Sequence, residues 1–134
     1  MSIWYHLHGA LTHFPIALAI TSFALDFAGA IFRKPSLRAA GLWTLVLAAL
    51  ASVPAVATGF FTANDYATAK SLIIHRNTSI AASVLLVGLA AWRGALRRDD
   101  MSRRSFVAYL VGVLLAAGAV GLTGWLGSQV VNFS

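Results

Sequence analysis

Four long apolar stretches, separated by short polar connections, organise this chain. His13 to Phe32 is interrupted only by Asp26, and Ala39 to Phe61 carries no charge. Leu72 to Trp92 has Arg76 near its start, and Ser105 to Gly127 continues as an uncharged run to Ser134. A membrane-spanning helix needs about 20 predominantly apolar residues, so the pattern predicts spans over about 12–32, 39–61, 72–92 and 105–127. Short connections make neighbouring spans antiparallel. The expected fold is an all-α membrane protein, one four-helix bundle over residues 1–134.

Composition strengthens this reading. Of 134 residues, 59% are apolar and 10% charged, and mean hydropathy is +0.79. A soluble domain carries about 25% charged residues, so a soluble domain, a disordered tail and a coiled coil are all excluded. The net charge is +6 and the isoelectric point near 10.9, yet no basic run with interleaved aromatics points to nucleic acid. Without cysteine the chain offers no disulfide, thiolate zinc site, iron–sulfur cluster or covalent haem attachment.

The basic residues mark the connections instead. Arg33, Lys34 and Arg38 fall between the first two spans, and Arg93, Arg97, Arg98, Arg103 and Arg104 between the last two. Only Lys70 and Arg76 fall on the other side. The positive-inside rule then puts both termini and the 62–71 loop outside the cytoplasm, which for a bacterial inner membrane is the periplasm. No Lys or Arg precedes the first span, so no cleavable signal is expected. Trp4, Tyr5, Phe60, Tyr66 and Trp125 suit the outer interface, and Trp43 and Trp92 the inner one.

All four histidines lie toward the outer side. His13 and His75 open the first and third spans at similar depth, on helices expected to sit diagonally across the bundle. Pro15 suits a first helical turn, which predicts that regular helix begins near Thr12. Thr58-Gly59 closes the second span and Thr123-Gly124 the fourth, so the chain reads as two similar hairpins related by a pseudo-twofold along the membrane normal. A haem b in a bundle takes two imidazoles from facing helices, glycines where the ring passes the backbone, and cations at the propionates. His13 and His75 are the candidate ligands, with Gly59, Gly124, Thr58 and Thr123 beside the ring and Arg76 or Lys70 at the propionates. The alternatives are interfacial histidines that bind nothing, or a Cu or Zn site completed by His8 or His6. His6 and His8, next to Trp4 and Tyr5, read first as interface anchors.

Asp26 is costly inside a membrane unless paired or neutral. A pair with Arg33, Arg38 or Arg93 is the first expectation, and proton uptake the second. Gly112, Gly118, Gly121, Gly124 and Gly127 suit close helix packing. No nucleophile–base pair, phosphate loop or hydrolytic carboxylate pair stands out.

The run His8-Gly9-Ala10-Leu11-Thr12-His13-Phe14-Pro15-Ile16-Ala17-Leu18 resembles the opening His-Pro-x-x-x-His-Phe-Pro-Ile-Ala-Leu of a family of small four-span bacterial membrane proteins, domain of unknown function 2231. Asp26, Pro54 with Thr58-Gly59, His75, and Thr123-Gly124-Trp125-Leu126-Gly127 resemble later landmarks of that family. Gly9 stands where the family usually has Pro, and Ser128-Gln129 replaces its Gly followed by Glu or His. Its aspartate after the second-span Thr-Gly is missing, with Asp65 only nearby. Relatives fused to Rieske iron–sulfur domains imply redox company.

The leading expectation is therefore a small membrane cytochrome b. It would hold one haem b near the periplasmic face, with electron transport between quinol and a periplasmic redox protein such as a Rieske or cytochrome domain. The rival is a non-catalytic accessory subunit of a larger membrane complex, or a homo-oligomer, docked through Gly112, Gly118 and Gly121.

Overall fold

The computed structural model describes residues 3–62, 70–95 and 101–133. They form four helices: α1 (Ile3–Ile31), α2 (Pro35–Thr62), α3 (Lys70–Ala95) and α4 (Arg103–Phe133). Each is long and apolar enough to cross a membrane. α1 packs on α2 and α4, and α3 packs on the same two, so α1 and α3 lie diagonally across the bundle. The sequence expectations for Asp65, Tyr66, Arg97 and Arg98 fall outside the described residues.

One boundary corrects the sequence reading. α1 begins by Ile3 rather than near Thr12, and runs through Pro15 without a break. Proline inside a soluble helix costs about 3 kcal/mol, but membrane helices tolerate it where neighbours hold the segment. Here Trp4 stacks on Phe61 of α2 at 4.7 Å, and His8 is bonded to α2. These contacts fasten the early turns, and Pro15 itself is buried in the bundle.

The turn from α1 to α2 is tight. Arg33 takes φ 53°, in the left-handed region, and the Lys34 N–H donates to the Gly29 carbonyl at 3.0 Å. This closes the helix in the manner of a Schellman cap. Pro35 then opens α2, where its missing N–H costs nothing.

Alanines make up half of the buried apolar positions, beside Leu45, Leu86 and Tyr109, while many large apolar side chains face outward. Ala19, Ala48, Ala49, Ala82, Ala116 and Ala117 are buried, whereas Phe14, Ile20, Leu50, Val84 and Leu115 are exposed. That arrangement suits a bundle whose exterior is covered by lipid chains and whose helices associate by close packing.

Among the described residues most buried positions keep one register between the halves, the exceptions being Ala55 and Thr58, whose counterparts Thr123 and Leu126 are only half-buried. Pro15, Ala19, Ser22 and Asp26 of α1 are buried, as are the residues 67 positions on, Ala82, Leu86, Leu89 and Arg93 of α3. Gly41, Leu45, Ala48, Ala49, Ser52 and Thr62 of α2 are matched 68 positions on by Tyr109, Val113, Ala116, Ala117, Val120 and Val130 of α4. Each hairpin thus turns equivalent faces to the core in the same order.

Candidate functional site

At the end where α1 and α3 begin, two imidazoles meet. His8 and His75 have ring centroids 6.1 Å apart and planes at 82°. The Nδ1–H of His8 donates to the Ala55 carbonyl at 2.8 Å, with the Thr58 hydroxyl oxygen at 3.2 Å. The Nδ1–H of His75 donates to the Thr123 carbonyl at 3.0 Å. A carbonyl only accepts, so each bond assigns the ring proton to Nδ1 and leaves the Nε2 lone pair free. Among the described residues neither Nε2 has a hydrogen-bond partner. Glycine lets both rings in. A Cβ on Gly59 would lie 3.0 Å from His8 Cε1, and one on Gly127 would lie 3.0 Å from His75 Cε1.

Beneath the imidazoles is a cavity of about 420 Å³ lined by all four helices. Its wall includes Ser52 and Ser83, whose hydroxyls are 2.7 Å apart, and reaches Leu86 and Val120. Among the described residues no group of three or more His, Cys, Asp or Glu side chains lies together.

The partner of His75 is not the one expected. His13, the first candidate, is exposed, and His8 takes its place. The cause is the early start of α1, which carries His8 on the same face as the buried Pro15, Ala19, Ser22 and Asp26. His6 and His13 line the cavity from exposed positions. Gly59 lies against an imidazole, but Gly124 packs on Ile16, where a Cβ would lie 3.1 Å from Cδ1, and Gly127 occupies the expected place. Thr58 reaches His8 through its hydroxyl, and Thr123 serves His75 only through its carbonyl. Arg76 lines the cavity and is exposed, as is Lys70 at the start of α3. A usable signal was present: the interval from His8 to His75 is 67 residues and that from Gly59 to Gly127 is 68.

The opposite end holds a buried polar knot. Asp26 is fully buried; its Oδ2 accepts the Tyr109 hydroxyl at 2.7 Å, and its Oδ1 is 3.6 Å from Arg93 Nη2. Arg93 also donates to the Arg38 carbonyl at 3.4 Å and lies over the Tyr109 ring at 5.0 Å. A Cβ on Gly41 would come within 2.7 Å of the carboxylate, so only glycine leaves it room. Of the basic partners expected for Asp26, Arg93 makes the pair. The small-residue stripe divides: Gly112 faces Leu89, whereas at Gly118 and Gly121 an added Cβ would meet nothing within 4 Å.

Compared with known families, residues 5–133 match the model of a family described as a predicted membrane protein, DUF2231. No curated protein and no solved structure matches the chain.

Proposed function

We propose, for a chain that belongs to the DUF2231 family of predicted membrane proteins, a role as a small membrane cytochrome b. His8 and His75 would hold one haem b through their Nε2 atoms, and the haem would supply one-electron chemistry. The observation that carries this reading is the facing imidazole pair with both Nδ1 atoms tied to carbonyls. Such ties orient metal-ligating histidines and raise their basicity. With ring centroids 6.1 Å apart, His8 and His75 would be the two residues of the chain to hold the group, each through its free Nε2. The cavity of about 420 Å³ falls within the range of cofactor sites, about 300–1,000 Å³. Cu and Zn sites take three or four ligands, so a facing pair of imidazoles favours haem, whose macrocycle supplies the rest. Arg76, exposed at the cavity wall, suits a propionate.

The 67- and 68-residue registers support two hairpins related by an approximate twofold along the membrane normal, each supplying one ligand. Eight of the ten basic residues belong to the Asp26 end or its connections, which supports an inner-membrane protein with the histidine end and both termini in the periplasm. Electrons then pass to a periplasmic redox protein.

The test is a reduced-minus-oxidised visible spectrum of purified protein with pyridine haemochrome quantitation. The expected result is about one haem per chain with a sharp reduced α-band. His8→Ala and His75→Ala each lose it, and His13→Ala keeps it. Normal haem in the first two variants, or a colourless protein after supply of haem precursor, overturns the assignment. A second reading, an accessory subunit, draws support from the open surface at Gly118 and Gly121. It predicts a colourless protein that co-purifies with a larger complex.

A further inference from the structure

α1 carries two more imidazoles that the haem reading leaves unused. His6, Gly9 and His13 follow one another at intervals of three and four residues, so they share one helix face. At about 100° per residue, His13 is turned about 140° from the core-facing His8. Yet His6, Gly9, Ala10 and His13 all line the cavity, together with Gly124 and Ser128 of α4, and all four α1 residues are exposed. The cavity therefore reaches from the core to exposed positions on α1 and α4.

Depth makes His13 unusual. It lies ten residues, about 15 Å, into a helix of 29 residues that is long and apolar enough to cross a membrane. Ionisable groups at such depth face a partner or a pathway. Among the described residues the side-chain hydrogen bonds of this stretch are made by His8 and Thr12, and none by His13.

We propose that a para-quinol docks at this exposed edge of the cavity, bracketed along α1 by His6 and His13 with its ring over Gly9. This rests on the haem reading, because haem is the electron acceptor. The two histidines are seven residues apart, about 10.5 Å along the axis. The oxygens of a benzene-1,4-diol are about 5.5 Å apart, and a hydrogen bond at each adds about 2.8 Å, a span of about 11 Å. A Cβ on Gly9 would meet nothing within 4 Å, so the space over it is open to a flat ring. One quinol and two equivalents of ferric haem give one quinone, two protons and two equivalents of ferrous haem, delivered one electron at a time. The hydroxyl at His13 gives its proton to that imidazole and thence to the outer water. The hydroxyl at His6, near the helix start, gives its proton to water directly. A one-electron acceptor protein reoxidises the haem between the two transfers.

The experiment has two arms. Equilibrium binding of decylubiquinone to the purified protein is read by quenching of tryptophan fluorescence, and is expected to weaken about tenfold in His6→Leu and Gly9→Phe. Stopped-flow reduction of the haem-loaded protein by decylubiquinol is the second, with dithionite reduction and the visible spectrum as controls. Parental protein is reduced by decylubiquinol. His13→Leu keeps its haem and its dithionite response but is reduced about 100-fold more slowly, the contribution of a placed proton acceptor. His6→Leu and Gly9→Phe raise the half-saturating quinol concentration about tenfold, the loss of one hydrogen bond or of the ring's space. A haem-bearing protein that dithionite reduces and decylubiquinol does not, or variants that react at the parental rate, overturns the docking site and leaves the haem standing. A protein without haem overturns the haem reading and the electron transfer, and decylubiquinone binding that His6→Leu and Gly9→Phe do not weaken overturns the docking site.

Discussion

The two ends of the bundle use one register in opposite ways. At the histidine end the residues that meet across the bundle are alike: His8 faces His75, and Gly59 and Gly127 lie behind them. At the other end the residues that meet are complements. Asp26 pairs with Arg93, 67 positions on, and the space left by Gly41 on α2 is matched on α4 by Tyr109, which bonds the same carboxylate. A ligand held between the two halves calls for the same donor from each. A buried structural contact between the halves cannot repeat a charge, because two like charges removed from water repel and neither is compensated. The likeness at one end is what the proposed shared ligand requires, and the difference at the other is a lock that joins the first hairpin to the second.

The largest effects are expected where the lock is broken. Arg93→Ala leaves Asp26 buried without its cation, a loss of about 3–5 kcal/mol, read by steric-trapping unfolding in bicelles. The exchange Asp26→Arg with Arg93→Asp tests whether the two sites are interchangeable. It is expected to restore less than half of that loss, because the space beside Gly41 and the hydroxyl of Tyr109 both serve a carboxylate on α1. Full recovery would show that charge complementarity alone holds this end. Tyr109→Phe removes one hydrogen bond to a charged group, worth about 1.5–3 kcal/mol, and haem content, if the site is as proposed, stays at the parental value.

Next in size is the likeness itself. Gly59→Ala and Gly127→Ala each press a methyl to 3.0 Å from an imidazole carbon, and both are expected to cost about 1–3 kcal/mol by overpacking. The informative outcome is equality: the two variants weaken the histidine end by the same amount in parallel unfolding measurements. Gly124→Ala meets only the flexible end of Ile16 and is expected to cost about 1 kcal/mol or less. A Gly124 variant as damaging as Gly127→Ala would restore the pairing that the Thr-Gly motifs suggest in the sequence.

These comparisons show what was legible in the residues. Four spans, their antiparallel order and the diagonal placement of α1 and α3 follow from apolar length and short connections, and the structure has them. His75 was readable as well, because it opens an apolar stretch. His8 was hidden by two local signals that tertiary contacts override: Pro15 as a helix start, and Trp4 with Tyr5 as an interface anchor. Trp4 does bind the helix end, but by stacking on Phe61, and α1 is helical from Ile3, which puts His8 on the face of the buried Pro15 and Ala19. The Thr-Gly motifs misled by one helical turn. Their resemblance pairs Gly59 with Gly124, whereas the packed register pairs it with Gly127. The Asp26 end was half readable: a cation was required, but which of three arginines supplied it depended on helix rotation that no local pattern encodes.

The finest distinction lies within the histidine end, where the likeness is incomplete. His8 has two acceptors on α2, the Ala55 carbonyl and the Thr58 hydroxyl, whereas His75 has one on α4, the carbonyl of Thr123. The Thr123 hydroxyl donates instead to Ala119 at 2.8 Å. Thr58→Val therefore removes a contact to an imidazole, and Thr123→Val removes none. The expected stability losses are about 0.5–1.5 kcal/mol for the first and about half that or less for the second. Nitrogen-15 NMR of the two Nδ1–H groups separates the causes: Thr58→Val shifts the His8 resonance alone, and Thr123→Val leaves both in place. Equal shifts at both histidines would mean that the rings respond as one coupled pair, and that the extra hydroxyl on α2 is not what distinguishes them.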